Sequence, residues 1–310
     1  MAGSIPASVT SDQRLALGSR APEAVTSILR ILRSAGGGAG MAITCALFAV
    51  AILADRIAPM DPFASVAVPL SAPSAAHPMG TDDLGRDLFS GVVHGARTSL
   101  MVALSVTVLA SVLGIIVGAV SGWRGDLVDD TLMRLTEFVQ VVPRFFLAAI
   151  VIALFGPGLD RLVLLLGLTS WPAMARVVRA EVLSVKTREF ILAARALGAP
   201  AGRILAREVL PNVLGPTVVV ASLNAAAVIL LEAGVSFLGL GDPDVVSWGY
   251  LANNAQRFLR VAWWMVVFPG ASIALAILGL NLLGDALSDA LNPRALAREV
   301  PDADGARRRA

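Results

Sequence analysis

Across 310 residues, 56% are hydrophobic and only 15% charged, and the mean hydropathy is +0.75. A soluble domain of that length needs more polar surface, so several membrane spans are expected. The net charge of +2 rests on arginine, Cys45 is the only cysteine and His77 and His94 the only histidines, which excludes an intrachain disulfide and leaves no H-x-x-H or H-E-x-x-H zinc pair.

In chain order, residues 1–38 form a polar tail. Within it AVTSILRILRS puts Val25, Ile28, Leu29 and Leu32 on one helical face, which suits either a helix lying on a membrane surface or a partly ordered tail. No small-residue cleavage site closes the apolar run that follows, so the reading is an uncleaved first span. Runs of spanning length, each needing about 20 residues, recur near 40–58, 98–121, 132–155, 161–179, 213–236 and 263–288. The expectation is an all-α polytopic membrane protein with six spans.

Between the first two runs, GTDDLGRD (80–87) misses the calcium-loop spacing. Thr81 or Asp82 is expected to cap a helix whose Leu84, Leu88 and Val92 pack on the bundle. In the third run Arg134, Glu137 and Arg144 interrupt the hydrocarbon, Arg144 directly after Pro143. A cation at that depth is costly and normally faces a cavity or a partner. Arg144 is therefore a candidate to line a path through the bundle and meet a carboxylate there, with Glu232 of the fifth run as a second candidate. The alternative is an internal ion pair of Arg144 with Glu137 or Glu232.

Lys186 is the only lysine, and the AEVLSV before it contains no glycine. A Walker A loop needs G-x-x-x-x-G-K-[ST], with the lysine on the nucleotide phosphates. Any ATP use must then come from a partner, and no cofactor or metal is expected on this chain. Residues 188–212, REFILAARALGAPAGRILAREVLPN, are too charged to cross a bilayer. At 100° per residue Phe190, Ala193, Ala194 and Leu197 form a stripe, with Arg188 and Arg195 opposite. Gly198 is placed to end that helix and Pro200 to prevent its continuation. A second helical segment near 201–210 offers Leu205 and Val209, and Pro211 marks a break before the next span. Such a knob suits a groove of a soluble partner; a loop packed under its own bundle, or on lipid, has the same pattern.

The arginines of the N-terminal tail, of 174–212 and of the C-terminal tail fall on one side of a six-span chain, which places both termini in the cytoplasm. The loops 59–97 and 237–262 then lie outside. Asp285 and Asp289, one turn apart at the end of the last run, read as solvated caps or ion pairs more readily than as a proton relay.

AARALG followed by VLPN resembles the EAA loop of ABC-importer permeases, E-A-A, three residues, G, nine residues, I-x-L-P. Ala193, Ala194, Gly198, Leu210 and Pro211 match at that spacing, while Leu192 stands for the usual Glu and Glu208 for the usual Ile. The segments HPMGTDDLGRDLFSGVVHGARTSL, LTSWPAMARVVRAEVLSVKTREF, EAGVSFLGLG, SWG and NLLGDALSDALNPR resemble the C-type permease subunit of dipeptide, oligopeptide and nickel importers, in order over about 40–294. The resemblance implies a type I importer permease with residues 1–38 as N-terminal tail, 39–294 as transmembrane domain and 295–310 as C-terminal tail. It implies a coupling loop at 186–212 that seats Phe190, Ala193, Ala194, Arg195, Leu197, Gly198, Leu210 and Pro211 against an ATPase, with Arg195 reaching acidic groups on the rim of that groove. The implied partners are a second, B-type permease, two ABC ATPases, an extracytoplasmic solute-binding protein and the lipid bilayer, with no nucleic acid. The implied cargo is a di- or oligopeptide, alternatively glutathione or nickel. A self-contained secondary transporter would instead predict paired internal repeats, and none is apparent. An intramembrane enzyme would need a nucleophile–base set that two histidines do not supply.

Overall fold

A computed structural model describes residues 35–58 and 60–291. The expected surface helix around Val25–Leu32 and the C-terminal arginines lie outside them. Every apolar run read from the sequence is helical. In chain order the helices are α1 (Ala35–Ile52), the single turn α2 (Ala54–Ile57), α3 (Leu88–Arg124), α4 (Asp126–Val141), α5 (Arg144–Phe155) and α6 (Leu159–Lys186). They continue with α7 (Glu189–Ala196), α8 (Ala201–Ile204), α9 (Leu210–Val235), α10 (Trp248–Ala255) and α11 (Trp264–Leu291). Among the described residues β structure is limited to two isolated bridges, Ser65 with Arg86 and Thr81 with Asp87.

Among the described residues, four helices are long and apolar enough to cross a membrane: α3, α6, the continuous stretch Ala201–Leu240 that contains α9, and α11. The third run is not one straight span. It is the pair α4 and α5, bent by 72°. Val142 is extended (φ −81°, ψ 121°) because the ring of Pro143 disfavours a helical residue before it. Pro143 then stands at the N-cap of α5, where its missing N–H would have had no helical partner. Alone, α5 has 12 residues and reaches only about 18 Å. The 18 residues of α1 reach about 27 Å.

The tightest packing in the bundle joins α3 to α6. Gly114, Gly118 and Gly122 recur every fourth residue and so share one face of α3. A Cβ on Gly114 would come 2.5 Å from that of Met174, one on Gly118 2.8 Å from that of Val178, and one on Gly122 2.9 Å from that of Val182. Bare glycine lets the two backbones touch, which is how helices associate where lipid is as apolar as leucine. Around this seam lie two buried clusters. One joins Leu100, Val106, Leu166, Ile229 and Trp248. The other joins Val178, Val182 and Val185 of α6 to Ile191, Ile204 and Val209 of the polar stretch.

At the end of the bundle remote from α7, the segment before α3 differs from expectation. Asp87, not Thr81 or Asp82, caps α3, its Oδ2 accepting from the Ser90 N–H at 2.8 Å. Its other oxygen meets His77 Nδ1 at 2.9 Å. Asp82 accepts instead from the N–H groups of Leu84 and Arg86, and burial raises its carboxyl above the ordinary aspartate range against those two bonds. Leu88 and Val92 are buried as expected, but Leu84 is exposed, because Gly85 at φ +76° turns the chain before any helix begins. Trp264 Nε1 donates to the Thr81 carbonyl and Arg86 to the Tyr250 hydroxyl, so the two long loops interlock.

Candidate functional site

Residues 187–209 form a folded knob at the far end of α6. Helix α7 ends as the glycine predicted: Gly198 is left-handed (φ +78°). Its N–H donates to the Arg195 carbonyl at 2.9 Å and the Ala199 N–H to the Ala194 carbonyl at 3.1 Å, the paired bonds of a Schellman turn. Pro200 precedes α8, which opens into a π-helical turn at Leu205–Val209 and runs directly into α9. Pro211 is therefore no break. It lies in the first turn of α9, exposed, beside Leu210, which is half-buried against the second cluster. The wide π turn lets the helix absorb a residue that cannot donate to the turn before it.

The knob carries apolar residues on two faces. Ile191, Ile204 and Val209 are fully buried, and Ala194 packs beside them. Ala194 thus belongs to the support of the knob and not to its outer surface, as the expected stripe had it. Phe190, Ala193 and Leu197 do face outward, Phe190 at 41% and Leu197 at 89% exposure. Arg195 is exposed and stacks on a neighbouring ring. Its guanidinium lies 4.9 Å from the centroid of the Trp123 ring, and the Lys186 ammonium lies 5.8 Å from the same ring. The Lys186 Nζ donates to the carbonyls of Trp123 at 2.7 Å and Gly122 at 3.4 Å. Beside them, Arg179 of α6 clasps Asp129 of α4 through Nε and Nη2 at 2.6 and 2.5 Å, and Ser121 of α3 donates to the same carboxylate.

Within the bundle, Arg144 stands half-buried at the start of α5, with Ser170 Oγ at 3.5 Å as its hydrogen-bond partner. Among the described residues it has no carboxylate within ion-pair reach, so neither Glu137 nor Glu232 neutralises it. It lines a cavity of about 280 Å³ with Ala110, Ser170, Val220 and Asn224. Glu232 lies elsewhere. It is 2% exposed, and its carboxyl accepts from Ser236 and Ser247 at 2.8 Å and from Ser99 at 3.3 Å. Three hydroxyls on α3, the π-helical turn after α9 and the N-cap of α10 satisfy it. That placement makes Glu232 a tie between elements, whereas Arg144 faces open space. Asp285 and Asp289 are both exposed on α11.

No sequence pattern pointed to Trp123. The signal available was an aromatic residue in the last turn of a span, next to the only lysine's side of the chain. The buried serines around Glu232 were equally silent, since single serines in apolar helices are common.

A family profile described as the binding-protein-dependent transport system inner membrane component matches residues 93–296. The chain is 37% identical over 259 residues to the dipeptide transport system permease protein DppC of Bacillus subtilis (strain 168), which covers 83% of this chain and 81% of that protein. It is 37% identical over 260 residues to the di/tripeptide transport system permease protein DppC of Pseudomonas aeruginosa (strain UCBPP-PA14), covering 81% and 84%. The oligopeptide transport system permease protein OppC of Bacillus subtilis (strain 168) is 37% identical over 223 residues, covering 72% and 73%.

Proposed function

The chain belongs to the binding-protein-dependent transport system inner membrane component family, and from that premise we propose a C-type permease subunit of an ATP-driven importer of di- and oligopeptides. The relatives' names favour peptide over nickel or glutathione. Six spans are assigned to α1, α3, the bent pair α4–α5, α6, α9 and α11, with both termini cytoplasmic. The tails 1–38 and 295–310 flank a transmembrane domain of 39–294. The chain works with a B-type permease, two ABC ATPases that bind the ATP and magnesium, and an extracytoplasmic binding protein that delivers the peptide.

The observation that carries this reading is the outward apolar face of the knob. Phe190, Ala193 and Leu197 are held toward solvent by an inner face that is fully buried. An exposed leucine on a rigid, Schellman-capped helix has no structural purpose in the isolated chain, and it suits a groove on the ATPase. Closure of the two ATPases on ATP draws the knobs together and turns the spans from inward-facing to outward-facing. Arg144 lines the path, where its unneutralised guanidinium meets a peptide carboxylate in the 280 Å³ cavity.

Leu197→Asp tests the docking. It leaves the buried face untouched, unlike Ala194→Glu, which would place a charge in the knob's own core. The expected result is a permease that inserts in the membrane but no longer retains its ATPases on purification and imports no peptide. Retention and import at wild-type levels would refute it.

A further inference from the structure

The knob is continuous with α6 and α9, but α7 and the span α3 are distant pieces of chain, and something must stop one from sliding over the other. Apolar burial at Ile191, Ile204 and Val209 holds the knob close, but such contacts carry no direction. The directional contacts converge on one side chain. Trp123 lies half-buried in the last turn of α3 and packs against the cluster that contains Ile191. Its ring receives Arg195 from α7 and Lys186 from the last turn of α6. The same ammonium donates to the carbonyls of Gly122 and Trp123, the end of α3 where helical carbonyls lack partners and a cation is favoured. Arg195 stands one turn after Ile191, so α7 is gripped at two points, one buried and one stacked. It is therefore held against rolling about its own axis.

We propose that Trp123 is the positioning residue that converts movement of the knob into movement of α3. The ring and its two cations join α3, α6 and α7 into one lever. The Asp129 clasp to Arg179 and Ser121 extends that lever to α4, and through the 72° bend to α5. The glycine seam carries the displacement along α3 and α6 together, since their backbones are in contact. This inference rests on the coupling role proposed for the knob.

The test uses the complete importer in proteoliposomes, with its binding protein and a mixture of dipeptides. The quantity read is peptide accumulated per ATP hydrolysed, measured by mass spectrometry and phosphate release. Trp123→Leu keeps an apolar side chain but removes the π face, Trp123→Phe keeps a smaller face, and Arg195→Gln removes one cation from the surface. Trp123→Leu and Arg195→Gln are expected to lower the ratio about two- to fivefold, the scale of losing a solvent-exposed cation–π contact, with Trp123→Phe restoring most of it. An unchanged ratio in Trp123→Leu, or a Phe variant no better than Leu, would overturn the proposal, because a filler role needs no aromatic face. If the Leu variant does not assemble, Arg195→Gln decides by the same criterion. Leu197→Asp separates the two levels. ATPase retained and import intact in that variant remove the coupling role and the lever with it. ATPase lost there, with a normal ratio in the Trp123 variants, removes the lever alone.

Discussion

Replacing Gly118 by alanine adds one methyl group at the tightest point of the α3–α6 seam. The new Cβ would lie 2.8 Å from the Val178 Cβ and 3.0 Å from the Arg179 backbone nitrogen, and closer still to the Ala175 carbonyl oxygen. Carbon atoms prefer about 3.5–4.0 Å, so the helices must part by the better part of an ångström. Two of the three obstacles are backbone atoms and cannot rotate away. Parting them at Gly118 also lifts Gly114 and Gly122 from their partners, one turn to either side. Overpacking of this kind costs about 1–3 kcal/mol, while alanine regains roughly 1 kcal/mol of helix propensity over glycine. The net expectation is a loss of about 1 kcal/mol, a fall of a few degrees in Tm for a chain this size. Leucine at the same place should prevent recovery of folded protein. The assay is thermal unfolding of the detergent-solubilised complex, with Gly202→Ala as control. Gly202 is helical, with nothing within 4 Å of its added Cβ, so that variant gains the propensity without the clash. A Gly118→Ala protein as stable as Gly202→Ala would refute direct backbone contact along the seam.

Two further outcomes follow from the same geometry. Gly198 also has nothing within 4 Å of an added Cβ, but its φ is +78°. Gly198→Ala should therefore lose about 1–2 kcal/mol through the backbone alone, with Gly198→Asn losing less; equal Tm values for the two would show that the turn is not left-handed. Replacing Glu232 by leucine strands the Ser99, Ser236 and Ser247 hydroxyls, at about 1–3 kcal/mol for unsatisfied buried groups, whereas glutamine keeps an acceptor. Hydrogen exchange in α10 should quicken in Glu232→Leu and stay slow in Glu232→Gln, and equal exchange in both would disprove the tie.

Periodicity and breakers made the spans, α7 and the Gly198 turn legible, because each depends on neighbours within a turn or two along the chain. The orientation of α7 was not legible. Phe190, Ile191, Ala193 and Ala194, with Leu197 at the C-cap, surround most of an eight-residue helix, and only the cluster it packs on decides that Ile191 and Ala194 turn inward. The bend at Val142–Pro143 had a local cause in plain view, yet the hydropathy of the whole run hid it. Prolines alone would not have sufficed, since Pro172, Pro216 and Pro269 stand inside unbroken helices. Asp87 and not Asp82 caps α3 because Gly85 and the loop bonds delay the helix, which no capping pattern encodes. Trp123 beside Arg195 and Ser99 beside Glu232 come from far along the chain and were beyond local reading.

Amine chemistry has a single side chain to find in this protein. Lys186 is the only lysine, and its nitrogen is occupied by two carbonyls at the foot of α3. Acylation there needs that hold released first, so the labelling rate becomes a clock for the joint, legible in an intact membrane without any engineered tag.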